Sequence, residues 1–320
     1  MDLSARYLGF ALSNPLVCGA SPLGDDLDLV RRLEDAGAAA IVLGSWFEEQ
    51  LEPMVAGAAA GSAARARDEY LERLRETKRA VGIPVVASLN GSSLGGWLVA
   101  ARWLEEAGAD ALELNLYRVA ANPAVGAQEI EEETVEIVGT VCDAVLLPVA
   151  VKLSPFYTAL AHLAPRLEGA GADGLVIFNR FLQPDVDLEA FDVRPDLRLS
   201  DPQELLLRLR WAAILRGQLR GSLAVTGGVF RGLDVLKAIA CGADAVQLVS
   251  ALVRHGPRHL TTLLGEIERW LEAHELDALA DLAGRLSLER CPDPEAFERA
   301  QYVWGLEEWS ARGGRERESD

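Results

Sequence analysis

One of the three lysines in this 320-residue chain lies where a charged side chain could do chemistry. Lys152 stands in the segment PVAVKLSP, whose other strand residues are apolar. Desolvating an ammonium there is costly unless an anionic or strongly accepting group lies nearby. Three interpretations remain open: a ligand-binding or catalytic role, an imine-forming lysine, or a structural ion pair with Glu113. Lys78 and Lys237 fall on predicted helices and are expected to be solvated.

Two asparagines end apolar runs and are followed by further polar residues. The segments ELNLY and VIFNR place Asn115 and Asn179 where each run stops. A side-chain amide both donates and accepts hydrogen bonds, so the pair could hold a planar heterocycle, although either alone could cap a loop. Tyr117 and Arg118 follow the first run directly. They would overhang the site, or they lie in an ordinary surface loop.

The segment TGGV could hold a phosphate. Its glycines, Gly227 and Gly228, let backbone N–H groups approach an anion, and Ser250 ends the next apolar run. Two adjacent glycines form only a turn in many proteins. Beside Lys152 and the two asparagines, however, they indicate a site for a nucleotide-like cofactor. Other polar residues at the ends of apolar runs are Ser45, Ser88 and Asn90.

An internal repeat indicates the elements that position these residues. Near-copies of one phrase occur four times: EDAGAAAIVLGS, EEAGADALELNL, EGAGADGLVIFN and ACGADAVQLVS. Their glycines, Gly37, Gly108, Gly171 and Gly242, are spaced by 71, 63 and 71 residues, about twice the roughly 30 residues of one β/α unit. In each copy a helix is predicted to end at the glycine, which tolerates positive φ, and a strand follows.

Four more apolar runs lie between the repeats, at residues 14–20, 83–90, 147–154 and 222–228. Interleaving gives eight short strands, and strands this apolar are buried on both faces, as in an all-parallel sheet. The sequence therefore predicts a (β/α)8 TIM barrel, with a doubly wound open sheet as the alternative. Barrel strands end at one mouth, so the polar residues described above would meet there.

The chain is predicted to divide into a barrel over residues 1–256, a helical layer packed on it over residues 257–310, and a disordered tail, 311–320. Two insertions follow strands of the barrel. Residues 46–70 contain a small-residue tract that could act as a lid, and residues 180–201 alternate enough to form a hairpin. Both insertions would lie at the mouth.

Composition excludes some classes of function. The chain has 31 basic and 49 acidic residues, a formal charge of −18, so nucleic acid and anionic membranes are unlikely partners. Four dispersed cysteines without a CxxC pair predict reduced thiols, and no signal peptide or membrane span is visible, which favours the cytoplasm. His255 and His259 have a metal-ligand spacing, but Pro257 lies between them, so no metal site is predicted.

These residues, in this order, resemble the dihydroorotate dehydrogenase family of flavin-dependent barrels. The resemblance runs from NPLVCGAS through ELNL, VKLSP, VIFN and TGGV to QLVSAL, about residues 9–253. It implies that FMN binds across the barrel mouth, with Lys152 near the pyrimidine edge of the flavin. The cofactor-binding residues that it implies are Ser21, Ser45, Ser88, Asn90, Asn115, Lys152, Asn179, Gly227, Gly228 and Ser250.

The sequence departs from the family where substrate binds. Arg118 occupies the position of the family's Cys or Ser base and cannot act as a base at neutral pH. Ser45 follows Leu43 and Gly44 instead of the family's Thr and Lys, and the asparagine-rich loop after that strand has no counterpart. Arg180 replaces a small hydroxyl residue, and Ser200-Asp201 replaces a Ser-Gly pair. The cofactor half of the family pattern is therefore present, and the substrate half is not.

The resemblance implies an FMN-dependent dehydrogenase that acts on a CH–CH group. Arg118 and Arg180 favour a small anionic substrate, and the departures in the substrate half predict a molecule other than dihydroorotate, with dihydroorotate as the alternative. The expected catalytic residues are Tyr117, as a proton donor, Arg118 and Lys152, and the expected substrate-binding residues are Asn115, Asn179 and Arg180. The electron acceptor is not indicated. The alternatives are a non-redox isomerase or aldolase that binds a phosphorylated metabolite, and a flavin-binding protein without turnover. Family similarity suggests a homodimer, with Trp270, Trp304 and Trp309 either at its interface or in the core.

Overall fold

Eight parallel strands pair side by side into a closed ring. The computed structural model describes residues 1–47, 62–91, 94–294 and 299–313. Its strands are β1 (Ala5–Tyr7), β2 (Phe10–Leu12), β3 (Leu16–Cys18), β4 (Ala40–Val42), β5 (Trp46–Phe47), β6 (Val85–Asn90), β7 (Ala111–Asn115), β8 (Val149–Leu153), β9 (Gly174–Ile177), β10 (Asp185–Asp187), β11 (Asp192–Arg194), β12 (Ser222–Thr226) and β13 (Ala245–Leu248). The order β4-β3-β13-β12-β9-β8-β7-β6 closes because β4 also pairs with β6. The predicted barrel is confirmed, and the open sheet is wrong.

Helices follow the barrel strands and form the outer layer. They are α1 (Leu27–Asp35), α2 (Ser62–Ala80), α3 (Leu94–Glu106), α4 (Ala127–Cys142), α5 (Leu160–Gly169), α6 (Glu204–Leu215), α7 (Gly232–Cys241), α8 (Ser250–His255), α9 (His259–Ala273) and α10 (Gln301–Ala311). Helix α1 shows how the sequence sets such an element. The Asp26 carboxylate accepts from the Asp28 and Leu29 N–H groups at its start, and Val30 and Leu33 are buried.

The four repeat segments stabilise the lower rim of the barrel. The lower rim is the end at which the barrel strands begin. All four repeat glycines have φ between +93° and +113°, as expected where a helix gives way to a strand. In three copies the aspartate after Gly-Ala accepts the N–H of the first or second residue of the preceding barrel strand, which is β6, β8 or β12. These bonds are Val85 N to Asp110 Oδ2 (2.6 Å), Val149 N to Asp173 Oδ2 (2.9 Å) and Leu223 N to Asp244 Oδ2 (2.8 Å).

The first repeat has Ala39 where the other copies have aspartate. Asn14 takes over the function: its Oδ1 accepts the Leu16 N–H at 2.9 Å, and its Nδ2 donates to the Gly37 carbonyl at 2.9 Å. One prediction about this rim is wrong, because Lys78 is not simply solvated. Its Nζ lies 2.6 Å from Asp110 Oδ2, which also caps β6.

A short hairpin closes the lower end of the barrel and was not predicted. Strands β1 and β2 pair antiparallel, and Tyr7, Leu8 and Leu12 pack beneath the barrel against the small side chains of Ala150 and Ala224. Because these alanines fill little of the interior, the hairpin side chains can enter it. The strand ends on the opposite side, the mouth, are therefore where a ligand can enter.

Of the two insertions at the mouth, one is confirmed. Strands β10 and β11 form the predicted antiparallel hairpin, in which Asp187 lies opposite Asp192. The tract that could act as a lid falls mostly on residues 48–61, which lie outside the described residues. On either side of it, β5 continues the pairing with β6, and α2 begins at Ser62.

The C-terminal region contains two different helices. Helix α9 buries Leu260, Leu263, Ile267 and Leu271 and packs on α7. Helix α10 has no buried residue, and Trp304 on it is 57% exposed. The division at residue 257 stays a prediction, and so does the disordered tail, most of which (314–320) lies outside the described residues. Within the described part of the chain, no helix is long and apolar enough to cross a membrane.

Candidate active site

Lys152 belongs to a buried triangle of polar side chains inside the barrel. It lies on β8 and is 5% exposed, and its Nζ is 3.1 Å from Glu113 Oε1 on β7 and 3.3 Å from Gln247 Oε1 on β13. Gln247 Nε2 in turn donates to Glu113 Oε2 at 2.5 Å. The ion pair that the sequence left open is therefore present. Gln247 was missed, although an amide in the apolar run AVQLV was a visible signal.

Lys152 also borders a cavity of about 430 Å³ at the barrel mouth, so the ion pair does not remove it from contact with a ligand. The cavity runs over the ends of β8, β9, β12, β13 and β3. Seven of the predicted site residues line it: Ser21, Lys152, Asn179, Arg180, Gly227, Gly228 and Ser250. Ser21, at the end of β3, is buried, and its hydroxyl donates to the Gly19 carbonyl at 3.1 Å.

The glycine turn after β12 forms the far end of this cavity. Gly227 and Gly228 have φ of +93° and +78°, and a Cβ on Gly228 would lie 2.4 Å from the Leu205 backbone nitrogen. The Gly228 N–H donates to Ser200 Oγ at 3.2 Å, and both the N–H and the hydroxyl of Ser200 donate to Ser250 Oγ at 2.9 Å. Backbone and hydroxyl groups thus converge here as a small anion requires. Ser200, noted from the sequence only as a departure, belongs to this group.

A chain of side chains connects the asparagines across the mouth. Asn179 Nδ2 donates to Asn115 Oδ1 at 2.5 Å, and Asn115 Nδ2 reaches Ser45 Oγ at 3.4 Å. Ser45 and Ser88 share a hydrogen bond of 2.8 Å, and Asn90 Nδ2 donates to the Asn115 carbonyl at 3.0 Å. Asn115 is also the register partner of Lys152. The structure therefore brings together five predicted residues from four loops and strands.

Tyr70, on α2, supports this chain from behind and was not predicted. Its hydroxyl lies 2.9 Å from the Gly44 carbonyl and 3.3 Å from the Ser88 carbonyl, and its ring stacks on Trp46. Burial raises the pKa of Tyr70 well above its usual range, so the group stays a neutral hydrogen-bond donor. It fixes the backbone that presents Ser45 and Ser88.

Both predicted arginines already have a carboxylate partner. Arg118 pairs with Glu133, and Arg180 pairs with Glu204. Arg118 does not line the cavity that holds Lys152. It lines a second cavity of about 420 Å³, beside Phe156 and Tyr157. The sequence grouped Arg118 with Lys152, and the structure separates them.

Tyr117 is part of an aromatic wall at the mouth, and it lines a separate cavity of about 200 Å³ with Arg118, not the cavity that holds Lys152. Its hydroxyl accepts the Leu182 N–H at 3.2 Å, and its ring stacks on Phe181, with 5.2 Å between centroids. Phe181 in turn meets Phe156 edge-on at 4.7 Å. The wall joins the loops after β7, β8 and β9, a proximity that sequence spacing does not show.

The remaining reactive groups are held in structural contacts. The rings of His255 and His259 are tilted against each other with 4.7 Å between centroids, and His259 Nε2 lies 2.8 Å from the Phe230 carbonyl. The described ranges hold no group of three or more potential metal ligands. All four cysteines are free, and burial raises the pKa of Cys18 to about 12, so its thiol is a poor nucleophile.

A closed parallel barrel with a buried lysine and a glycine turn at its mouth defines the class of (β/α)8 proteins that bind ligands at the carboxyl ends of their strands. Within that class, the model of the family described as dihydroorotate dehydrogenase matches residues 58–271, more than half of the chain. The chain belongs to the dihydroorotate dehydrogenase family, as its motifs predicted.

Three relatives show the range of similarity. The chain is 27% identical over 298 residues to the catalytic subunit of dihydroorotate dehydrogenase B (NAD(+)) from Methanothermobacter thermautotrophicus, which covers 88% of this chain and 97% of that protein. It is 30% identical over 234 residues to the subunit of that name from Citrifermentans bemidjiense, covering 69% and 74%. A chloroplastic dihydropyrimidine dehydrogenase (NADP(+)) from Arabidopsis thaliana is 22% identical over 328 residues, covering 88% and 76%.

Proposed function

We propose that this chain is an FMN-dependent dehydrogenase that acts on a CH–CH group of a small anionic molecule. The observation that carries the proposal is the cavity that joins Lys152 to the glycine turn and Ser250. A cation at one end and converging hydrogen-bond donors at the other suit a flavin ring and a phosphate. Family membership supports a flavin, and the relatives are named as dehydrogenases of dihydroorotate and dihydropyrimidine.

The residues present fit FMN. Gly227, Gly228 and Ser250 would hold the phosphate, because all three line the end of the cavity where Ser200 Oγ connects the Gly228 N–H to Ser250. Lys152 and Asn179 would hold the ring, with Asn115 behind Asn179. Bound flavin supplies a two-electron acceptor, which these side chains lack.

Lys152 acts as a fixed cation at the floor of the site. Two of its three N–H bonds go to Glu113 and Gln247, which orient the ammonium. No described residue accepts the third N–H, and Lys152 borders the cavity. The third N–H is therefore free to stabilise negative charge on a bound ring.

Tyr117 is the proton donor in this proposal. Its hydroxyl accepts a bond from the Leu182 N–H and so keeps its own proton to donate. Arg118 stays protonated and cannot remove a proton from substrate. Arg180 would recognise the anionic group of the substrate by sharing its guanidinium between that group and Glu204.

The first test is the flavin content of the purified protein. We expect a yellow protein that releases FMN on denaturation, identified by chromatography and mass spectrometry. A colourless protein that cannot be reconstituted with FMN would contradict the proposal. Lys152→Met should weaken flavin binding and slow flavin reduction, whereas Lys237→Met, at an exposed position on α7, should do neither.

The second test asks whether the flavin turns over. Anaerobic mixing with dihydroorotate, dihydrouracil and other reduced anionic metabolites should bleach the flavin band with at least one of them. Arg118 at the base position favours a second candidate, a flavin-binding protein without turnover. This second candidate is supported if dithionite bleaches the flavin band and none of the metabolites does.

A further inference from the structure

A buried arginine that the sequence did not suggest lies behind the glycine turn. Arg208, on α6, is 5% exposed and borders the same cavity as Gly228 and Ser250. Its Nε donates to the Thr226 carbonyl at 3.0 Å, and its Nη1 donates to the Glu204 carbonyl at 2.7 Å. The side chain is thus aimed at the end of β12, where the turn begins.

The guanidinium of Arg208 packs directly against the turn. A Cβ on Gly227 would stand 3.1 Å from Arg208 Nη2. Glycine at this position lets the charged group and the backbone share one wall of the cavity. Arg208 uses three of its five N–H bonds, on Thr226 and on the carbonyl and carboxylate of Glu204. Two N–H bonds remain without an acceptor among the described residues.

Arg208 does not have a carboxylate to itself. Glu204 is its carboxylate partner, at 3.3 Å, and Glu204 also pairs with Arg180. The guanidinium groups of Arg208 and Arg180 therefore share one half-buried carboxylate. Asp201 is the other nearby acid, and it is exposed. Arg198, also at this cavity, is held by Asp185 and Asp196.

Desolvation of this buried cation has a cost that an anion would offset. Burial is the main cause that lowers the pKa of Arg208 from its ordinary value. Hydrogen bonds from backbone and serine groups suit any small polar group, but a guanidinium adds charge and a planar fork that fits phosphate oxygens.

We propose that Arg208 recognises the phosphate of the bound flavin and makes the site select FMN over riboflavin. This inference rests on the proposed function, because it assumes that flavin occupies the cavity. Arg208 then acts on the cofactor's phosphate and leaves the ring to Lys152 and Asn179. A charge-assisted hydrogen bond of this kind contributes about 1.5–3 kcal/mol, roughly a tenfold to hundredfold preference in affinity.

The experiment compares FMN with riboflavin. The flavin-free protein is titrated with each, and binding is followed by quenching of flavin fluorescence. In Arg208→Met we expect the affinity for FMN to fall about tenfold or more and that for riboflavin to change less than about threefold. Arg208→Lys keeps the charge and should keep most of the preference. Arg210→Met, an exposed arginine on the same helix, should change neither affinity.

Each outcome distinguishes phosphate recognition by Arg208 from a purely structural role of this side chain. Equal losses for the two flavins in Arg208→Met, or no loss for FMN, would overturn the inference, because a merely structural arginine acts on both ligands alike. If that variant does not fold, as judged by circular dichroism, Arg208→Gln against Arg208→Lys makes the same comparison. A wild-type protein that binds neither flavin contradicts the proposed function itself, whereas one that binds both equally contradicts only the role of Arg208.

Discussion

The lysine in an apolar strand is stable because two other strands supply its partners. Glu113 is fully buried and Gln247 is almost so, and together with Lys152 they satisfy one another inside the barrel. A buried pair of this kind adds little net stability, but removing one partner leaves a charge without compensation. The structural and the ligand-binding roles of Lys152 can therefore be measured separately.

Lys152→Met should destabilise the protein by about 3–5 kcal/mol, because it leaves the buried Glu113 carboxylate without a positive partner. Adding Glu113→Gln should recover more than half of that loss, since no unpaired charge then remains buried. Flavin reduction should stay slow in both variants if the cation acts on the ring. Thermal unfolding measures the first effect and anaerobic bleaching the second; recovery of both together would assign Lys152 a structural role only.

The pKa of Cys18, about 12, predicts how its thiol reacts. At pH 8 only about one molecule in ten thousand would carry the thiolate, so iodoacetamide should leave Cys18 unmodified in the native protein. Unfolding exposes the thiol and returns its pKa to the ordinary range, and alkylation should follow. Peptide mass spectrometry of both states checks this, with the less buried Cys291 as the internal control. Native labelling of Cys18 faster than Cys291 would contradict the assignment.

At the scale of elements, three aspartates and one asparagine join the strands in pairs. Each side chain satisfies a backbone N–H at the start of a barrel strand: Asn14 at β3, Asp110 at β6, Asp173 at β8 and Asp244 at β12. The three aspartates lie just before β7, β9 and β13. A buried N–H without an acceptor is costly, so each of these bonds helps to fix the register of a strand pair.

Asp173→Ala should lower the free energy of unfolding by about 1–3 kcal/mol, because it leaves the Val149 N–H without its acceptor. Asp143→Ala, an exposed position at the end of α4, should change it by less than about 0.5 kcal/mol. Urea unfolding followed by circular dichroism gives both values. Equal effects would mean that the cap does not hold the strand.

The elements show what the sequence could and could not predict. Apolar runs and repeat glycines revealed the eight barrel strands, because each run is continuous and the helices before β4, β7, β9 and β13 end at the repeat glycines. The hairpin of β1 and β2 escaped prediction, since three-residue strands show too few alternations to recognise. Lys152 and Gly227 could be found because they interrupt or end apolar runs. Arg208, Tyr70 and the pairing of Arg180 could not, because those contacts depend on how helices pack.

At the scale of the whole molecule, the C-terminal extension contains two helices of different character, α9 and α10. Helix α9 is amphipathic and buries four aliphatic side chains, whereas α10 exposes Trp304, Trp309 and Tyr302. Burial of apolar surface is the main source of stability, so only the first of these helices should matter to the fold of the single chain.

The formal charge of −18 lies largely outside the mouth, where Lys152, Arg180 and Arg208 face Glu113 and Glu204.

A chain that ends at residue 300 should keep its melting temperature within about 2 °C, because α10 buries no side chain. A chain that ends at residue 258 loses α9 as well and should melt at least about 10 °C lower or fail to fold. Differential scanning fluorimetry measures both, and sedimentation of the full and the shortened chains tests the predicted homodimer. A large loss on removing α10 alone would show that its exposed face is covered.

The aspartate caps lie on the opposite rim from the cavity, and this separation has an evolutionary consequence. Strand order and register are set at the lower rim, so loops at the mouth can lengthen, shorten or change composition without shifting the strands beneath them. Residues such as Arg118 and Arg180 could replace others while the floor around Lys152 stayed in place. A family built this way can change its substrate by loop exchange, and transplanting the β7–α4 loop of a relative into this chain should be a test of chemistry more than of folding.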